Sequence, residues 1–165
     1  MALIDDLKQI VGDWVSNRPE ELLIYSKDMT ENEPHKPDIV VMPESTEEVQ
    51  KIVQYANENK IPVTPYVSGA NVGGIAIPVK GGILIDLKRM NRIQVDEVNM
   101  YAILEPGVTF GHLKKLLDEN YPTLRYSLNP DNQNIWRFYE IKNTIFNHSN
   151  FLSQFKLIRS NKPIL

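Results

Sequence analysis

A glycine-rich segment between two apolar runs holds the residues of this chain best suited to bind a ligand through the backbone. Residues 65–74 read P-Y-V-S-G-A-N-V-G-G. The three glycines remove Cβ bulk, and their N–H groups, together with Ser68 and Asn71, can be aimed at an anion. The segment therefore predicts a loop that approaches an anionic ligand closely. A tight surface turn, in which glycine only supplies a positive φ, is the alternative.

Two familiar nucleotide-binding loops do not fit this segment. A Rossmann turn requires the spacing G-x-G-x-x-G and glycines that open a helix. Here the glycines lead into Ile75–Pro78, an alternating run that predicts β-structure and contains proline. A P-loop requires a lysine after its glycines, and this segment has none. The sequence therefore favours an anion-binding loop with strands on both sides.

Composition excludes several other kinds of site. The net charge of −3 argues against a nucleic-acid surface, and the lack of cysteine excludes disulfides, thiolate metal sites and cysteine nucleophiles. His35, His112 and His148 have no metal-ligand spacing, so no metal site is predicted. No apolar run reaches the roughly 18 residues of a membrane span, and Asp5 and Asp6 do not suit a signal peptide. We expect a soluble, cytoplasmic protein.

Hydrophobic periodicity predicts the elements that must position the glycine loop. The expected order is a helix at 2–16, a connecting loop at 17–37 with a short strand at Leu22–Tyr25, a strand at 39–43, a helix at 45–59, strands at 61–64 and 83–87, a hairpin at 93–105 and a helix from Thr109. This order predicts an α+β fold, with helices packed on one face of a mixed β-sheet.

Individual residues within these elements also carry predictions. Trp14 lies in the apolar stripe of the first helix and is expected in the core. Ser45 and Glu48 have the spacing of a capping box, which predicts the start of the second helix. The buried stripe of that helix is predicted to consist of Val49, Ile52, Val53 and Ala56. We expect Asp86 and Arg89 to shape a turn after the central strand, and His112 to be an exposed polar residue.

The composition changes sharply near Leu128. All 8 glycines and every alanine and valine lie in residues 1–128, whereas residues 129–165 hold 7 asparagines and 4 of the 5 phenylalanines. The expected division is 1–36 for the N-terminal helix and connecting loop, 37–128 for the main domain and 129–165 for an unrelated tail. An out-of-frame or truncated end, a helical extension and a small separate module all remain open for this tail, which can also be disordered. Residues 141–157 predict at most a weak helix.

Five segments, in the correct order between Pro37 and Leu128, resemble one family. They are Val41–Val49 (V-M-P-E-S-T-E-E-V), Asn57–Val63, the glycine loop, Gly81–Asn91 and Glu105–Leu113 (E-P-G-V-T-F-G-H-L). Together they are similar to the PCMH-type FAD-binding domain of the vanillyl-alcohol oxidase / p-cresol methylhydroxylase flavoproteins, in the branch of glycolate oxidase and D-lactate dehydrogenase. The resemblance implies the N-terminal part of that domain.

The resemblance also implies which residues contact the cofactor. In this family the glycine loop wraps the FAD pyrophosphate, and a P-G-V segment lines the cofactor near its adenine or ribityl part. The implied cofactor-binding residues are Pro65, Tyr66, Val67, Ser68, Gly69, Ala70, Asn71, Gly73, Gly74, Pro106, Gly107 and Val108. A simple strand-to-helix turn is the alternative for Pro106–Gly107.

Two departures from the family pattern affect how the flavin is held. Many relatives carry arginine where Tyr66 stands, so this loop is expected to bind phosphate through dipoles alone. Relatives with covalent flavin often carry histidine where Ala70 stands, so non-covalent FAD is implied.

The implied function is FAD binding, as a fragment of an oxidoreductase that acts on a 2-hydroxy acid or related alcohol. The resemblance covers no substrate domain, so it implies no catalytic residue. Two alternatives are a non-catalytic truncated gene product or interaction module without flavin, and a subunit whose flavin site is completed by a partner.

Overall fold

The computed structural model describes residues 2–69, 73–126 and 153–159. The chain divides into two compact units, residues 1–90 and residues 91–165. Each unit contains a four-stranded sheet in the part of the chain that is described. The glycine loop belongs to the first unit and the E-P-G-V segment to the second, so each candidate segment has its own structural support.

The sheet of the first unit consists of β1 (Val15–Ser16), β2 (Ile39–Val41), β3 (Val63–Tyr66) and β4 (Ile83–Asp86). Its order is β1-β2-β4-β3, with β4 parallel to both β2 and β3 and with β1 antiparallel to β2. The predicted mixed sheet is therefore confirmed. Every residue of β2 and β4 is buried, which shows that both faces of these central strands are covered rather than the one face expected.

Three helices accompany this sheet: α1 (Ala2–Val11), α2 (Pro19–Ile24) and α3 (Thr46–Glu58). The first helix is shorter than predicted because Gly12, in a left-handed conformation with φ of +61°, ends it after Val11. Val15 then pairs with Val41 in the sheet. The prediction of a strand at Leu22–Tyr25 was wrong. Pro19 occupies the first turn of a helix there, followed by Glu20 and Glu21, a combination that favours a helix N-terminus.

The capping prediction for α3 is confirmed, because the Ser45 side chain accepts a hydrogen bond from the Glu48 N–H at 3.2 Å. Of its predicted stripe, Val49, Ile52 and Ala56 are buried, but Val53 is 46% exposed. Two further predictions fail. Trp14 is 51% exposed because it lies beyond the end of α1. Residues 75–78 form no strand, because a turn at Ile75 and Ala76 is closed by the Ile77 N–H, which donates to the Gly74 carbonyl at 3.3 Å.

The sheet of the second unit is antiparallel throughout and has the order β5-β6-β8-β7. Its strands are β5 (Ile93–Asp96), β6 (Tyr101–Leu104), β7 (Leu124–Tyr126) and β8 (Ser153–Arg159), with helix α4 at Phe110–Asn120. The core of this unit consists of Ala102, Leu104, Leu113, Leu117 and Leu124. The predicted hairpin and the helix after Thr109 are confirmed.

One strand of the second unit comes from the stretch that composition marked as an unrelated tail. Strand β8 pairs with β6 and with β7, in the registers Ala102↔Phe155 and Arg125↔Ile158. The weak helix predicted for 141–157 is wrong over 153–157, which belong to β8, and residues 141–152 lie outside the described residues.

Candidate functional site

The glycine loop begins at the carboxyl end of β3, next to the end of the central strand β4. The two strands are parallel, and Tyr66 is paired in register with Asp86. Strand β3 lies at one edge of the described sheet, which is why it tolerates Pro65, a residue that cannot donate a ladder hydrogen bond. In open sheets with parallel strands, ligands bind in crevices at this carboxyl edge. The fold therefore places the loop where a ligand site is expected.

The predicted loop residues differ in exposure. Gly69 is buried and Tyr66 is half-buried, whereas Ser68 and Gly73 are exposed. Ala70 and Asn71 lie outside the described residues. The described part of the loop therefore combines a buried glycine, which approaches the protein closely, with exposed groups that face outward.

Gly69 and Gly74 both adopt left-handed backbone conformations, with φ of +65° and +69°. A Cβ added to Gly69 would lie 2.6 Å from the Tyr66 hydroxyl oxygen, and one added to Gly74 would clash with the side-chain amide of Asn32. The side chain that either glycine lacks would therefore collide with protein. Because these glycines lack side chains, the loop can pack closely against Tyr66 and Asn32. The family pattern implied a different reason for glycine here, namely close contact of the backbone with phosphate.

A buried polar cluster lies beneath Tyr66. The Tyr25 hydroxyl donates to Oδ2 of Asp86 at 2.8 Å, and Lys88 Nζ lies 2.7 Å from the same carboxylate oxygen and 3.1 Å from the Tyr25 hydroxyl. Asp86 is fully buried, whereas about half of the Lys88 side chain is exposed. The ring of Tyr66 packs edge-on against Tyr25, with 5.0 Å between the ring centroids. The cluster connects the end of β4 to the start of the loop.

The cluster changes the proton affinity of its members. Burial raises the pKa of Tyr25, and the Asp86 carboxylate raises it further, although Lys88 opposes the shift. Burial likewise raises the pKa of Tyr66, again with a contribution from Asp86. Desolvation lowers the pKa of Lys88, but hydrogen bonds to Asp86 and Tyr25 outweigh it, so the pKa is raised overall. At neutral pH the phenols are neutral and the ammonium pairs with the buried carboxylate.

Asp86 and Arg89 have the structural role that the sequence predicts. Oδ1 of Asp86 accepts from the Lys88 N–H at 3.0 Å and so caps a 3-10 turn at Leu87–Arg89. Arg89 donates to the Met42 carbonyl at 2.7 Å, and its guanidinium lies 4.0 Å from the ring centroid of Trp14. This cation–π contact gives the exposed Trp14 a partner at the surface.

The P-G-V segment of the second unit forms the strand-to-helix turn between β6 and α4. The Val108 N–H donates to the Glu105 carbonyl at 3.1 Å, and Thr109 caps α4 through its hydroxyl, which accepts from the His112 N–H at 3.1 Å. Pro106 is buried, and Val108 packs against the core of the unit. His112 is exposed, as predicted.

Glu105 anchors the start of this turn. It is only 6% exposed and accepts hydrogen bonds from the Arg92 N–H and from Arg92 Nε, both at 2.8 Å. The Glu105 N–H in turn donates to the Arg92 carbonyl at 3.0 Å. The buried carboxylate is thereby satisfied within the hairpin, so the conformation of the turn has a local structural cause.

Several residues around the glycine loop escaped the sequence analysis. Tyr25 was predicted as the last residue of a short strand, without a role at the site, and Asn32 fell in a polar stretch without regular pattern. Asp86 carried a signal, since it is the acidic residue that ends an all-apolar strand, but its partners are 61 and 2 residues away. A sequence motif cannot reveal the contact between Asp86 and Tyr25, because 61 positions separate them along the chain.

The fold and the loop together define a class of protein. This class comprises α+β domains that present a glycine-rich loop at the carboxyl edge of parallel strands. The sequence model of the family described as "FAD binding domain" matches residues 37–134. The chain therefore belongs to this family of FAD-binding domains, which confirms the resemblance drawn from the five segments.

Relatives and solved structures agree with this assignment. The flavoprotein subunit of 4-cresol dehydrogenase (hydroxylating) from Pseudomonas putida is 42% identical over 123 residues, which are 71% of this chain and 24% of that protein. The mitochondrial D-lactate dehydrogenase (cytochrome) of Arabidopsis thaliana is 37% identical over 122 residues, 71% of this chain and 21% of that protein. The crystal structure of p-cresol methylhydroxylase with substrate bound superposes with a TM-score of 0.66 at 36% identity, covering 77% of this chain and 26% of that one. The chain spans about a quarter of the length of these curated relatives.

The described residues also bear on other kinds of functional feature, namely a membrane span, a metal site and a cavity away from the glycine loop. None of the helices among them has the length and apolar character to cross a membrane. The same residues contain no group of three or more histidine or acidic side chains that could hold a metal ion. A cavity of about 400 Å³ lies beside Trp14, lined among others by Lys8, Arg18 and Met42, and its lining includes no described residue of the glycine loop.

Proposed function

We propose that this chain binds FAD without a covalent bond, and that the glycine loop wraps the pyrophosphate. The observation that carries the proposal is the loop itself, which leaves the carboxyl end of a parallel strand within the matched FAD-binding region. The residues assigned to this role are Pro65, Tyr66, Val67, Ser68, Gly69, Ala70, Asn71, Gly73 and Gly74. The same proposal assigns Pro106, Gly107 and Val108 to the lining of the cofactor.

The chemistry of the loop fits a pyrophosphate. Residues 65–74 contain no acidic side chain, and they offer backbone N–H groups together with the hydroxyls of Tyr66 and Ser68 and one amide. A buried phosphate requires several such donors, since its charge is otherwise left without a partner. The nearby carboxylate of Asp86 is paired with Lys88, so it adds little repulsion. Ala70 offers no side-chain atom for a flavin bond, and the chain has no cysteine.

We further propose that the whole protein oxidises a 2-hydroxy acid or a related alcohol. The names of the relatives support this substrate class, since they include D-lactate dehydrogenase, glycolate oxidase and 4-cresol dehydrogenase. When bound, FAD would accept the hydride that such an oxidation releases. The contribution of these residues is to bind and orient the cofactor, and we assign none of them a catalytic role.

A partner subunit that completes the flavin site is a second element of the proposal. Two relatives are named as subunits, the 4-cresol dehydrogenase flavoprotein subunit and glycolate oxidase subunit GlcD. Purification from the native cell, followed by mass spectrometry of the flavin-containing fraction, tests this. Recovery of the chain alone with full flavin occupancy would contradict it.

The domain boundaries and the cellular location also stand as proposals. We propose an N-terminal helix and connecting segment at 1–36, the FAD-binding region at 37–128 and a frameshifted end of separate origin at 129–165. Residues 153–159 of this end nevertheless add strand β8 to the sheet of the second unit. Sequencing of the DNA around codon 128 tests the origin of the last segment. We propose a cytoplasmic location, and fractionation of the native cell with detection by antibody would contradict it if the protein were found elsewhere.

A reconstitution experiment tests the cofactor assignment. The purified chain is incubated with FAD, freed of excess cofactor by gel filtration and scanned in the visible range, where retained flavin bands are expected. Acid precipitation then separates the two modes of attachment, because non-covalent FAD passes into the supernatant. A colourless protein after reconstitution would overturn FAD binding, whereas a yellow pellet would overturn only the non-covalent attachment.

A further inference from the structure

Both left-handed glycines of the loop rest against protein side chains. At Gly69 the direction of the missing side chain is filled by Tyr66, whose hydroxyl oxygen and Cζ lie 2.6 and 3.1 Å from an ideal Cβ. At Gly74 the same direction is filled by Asn32, with its Cγ at 3.3 Å and with Thr30 Oγ1 at 3.9 Å. Gly12 is different: it has a φ of +61° but nothing within 4 Å of an added Cβ. Gly81 and Gly82 are also left-handed and hindered, by the Asp38 carboxylate and the Pro62 carbonyl, so such close packing is not confined to the loop. We refer to the contact of Gly69 with Tyr66 as the first seat of the loop and to that of Gly74 with Asn32 as the second.

The first seat is held in place by the buried cluster. The Tyr66 ring packs at 77° to the ring of Tyr25, and the Tyr25 hydroxyl is bonded to the fully buried carboxylate of Asp86. Because Asp86 ends the central strand β4, the position of Tyr66 is tied to the most buried part of the sheet. A shift of Tyr66 would disturb this aromatic contact.

The second seat is held by a short polar chain in the segment before β2. The Asn32 side-chain amide donates to Thr30 Oγ1 at 2.9 Å. The Thr30 hydroxyl and N–H both donate to Oδ1 of Asp28, at 2.5 and 2.9 Å. The His35 N–H closes the segment by donating to the Ser26 carbonyl at 3.0 Å. Asn32 is thus oriented toward Gly74 by its own hydrogen bonds, although it lies at the surface.

We propose that Tyr66 and Asn32 are positioning residues that set the two left-handed bends of the glycine loop and thereby determine its affinity for FAD. The inference rests on the proposed function of the loop. Asn32 touches the loop from outside it, and it acts by fixing where the backbone of Gly74 lies. Holding the backbone at Gly69 and Gly74 in place before the cofactor arrives lowers the ordering cost of binding.

A double-mutant cycle at the second seat tests the proposal on the full chain. Gly74→Ala should weaken FAD binding about tenfold or more, since it adds both backbone strain and a clash with Asn32. Asn32→Ala alone removes the side chain that holds the Gly74 backbone and should weaken FAD binding about threefold or more. Because the clash is absent in the double variant, its loss should be smaller than the product of the two single losses. An Asn32→Ala variant that binds FAD as tightly as wild type would overturn the proposal.

Two further variants distinguish the side-chain contacts at Gly69 and Gly74 from backbone strain alone and from a loss of global stability. Gly12→Ala introduces the same left-handed strain where space is open, and it should leave the FAD dissociation constant within about twofold of wild type. Tyr66→Phe removes the hydroxyl that an alanine at position 69 would meet, so it should partly rescue Gly69→Ala. Urea unfolding of each variant reports global stability, and a rescue of FAD affinity without a matching change in unfolding midpoint identifies positioning.

A second measurement on the cofactor-free chain keeps this inference distinct from the proposed function. Amide hydrogen exchange at Gly69 and Gly73 should be faster than in wild type both in Gly74→Ala and in Asn32→Ala. If wild-type protein retains no FAD, the proposed function fails, and exchange still decides whether the seats order the loop. Exchange in Asn32→Ala equal to that in wild type would overturn the positioning role.

Discussion

The two candidate segments differ in how far along the chain their supports lie. The turn at Glu105–Val108 is held by neighbours, since its stabilising contacts come from Arg92, from Thr109 and from its own backbone. The glycine loop is held by Tyr25, Asn32 and Asp86, which belong to a preceding segment and to a following strand. A turn with local supports keeps its shape through short-range chemistry. A glycine loop, with little side-chain bulk of its own, requires a scaffold from elsewhere.

The largest effect is expected at the buried glycine of the loop. Gly69→Val should abolish measurable FAD binding, a loss of more than about 100-fold, because it adds backbone strain and a branched side chain that collides with Tyr66. Titration of the purified variant with FAD, followed by flavin fluorescence, measures the loss. Gly12→Ala is the matched control for left-handed strain alone. Undiminished affinity in Gly69→Val would show that the loop does not form the site.

A smaller but global effect is expected when the scaffold of the loop loses its buried acid. Asp86→Ala should lower the free energy of unfolding by about 3 kcal/mol, because it leaves the Tyr25 hydroxyl without its acceptor and removes the partner of Lys88. Urea denaturation measures the change, and Asp86→Asn, which keeps the size and one acceptor oxygen, should lose less. An Asp86→Asn variant as stable as wild type would mean that the carboxylate charge has no part in the cluster.

A substitution beside the turn at Glu105–Val108 should change stability in the second unit and leave the glycine loop unaffected. Thr109→Ala removes the cap of α4 and should cost about 1 kcal/mol of unfolding free energy. Thr109→Ser, which keeps the hydroxyl, should restore most of it. Amide exchange should accelerate in the first turn of α4 and remain unchanged at Gly69 and Gly73. Faster exchange in the glycine loop would contradict the contrast between local and distant supports.

The smallest effect concerns pH. The pKa values of Tyr25 and Lys88 are both raised in the folded state, so folding favours their protonated forms. Their contribution to stability is fully present below about pH 10, near the unfolded pKa values, and is lost as the pH rises through the folded ones. Urea unfolding between pH 8 and 11 should therefore show a decline that is weaker in a Tyr25→Phe/Lys88→Met variant. Parallel curves for the two proteins would contradict this role of the cluster.

The sequence predicts best those parts of the structure whose interactions join residues that are close together along the chain. The Ser45 and Thr109 caps, the hairpin and the central strand were all predicted correctly because their signals lie within a few residues. Helix α2 was missed because Pro19 was read only as a loop residue, although proline also suits the first turn of a helix. Trp14 was placed in the core by periodicity, but the left-handed Gly12 ends the helix before it.

For the candidate site, the sequence alone determined that residues 65–74 form a glycine-rich loop beside a strand and that the chain resembles FAD-binding domains. It did so because glycine, proline and short polar residues limit the backbone locally, and because five segments occur in one order. Only the tertiary structure decided why Gly69 and Gly74 must be glycine. Their missing side chains point at Tyr66 and Asn32, and that direction is set by contacts from residues up to 61 positions apart along the chain.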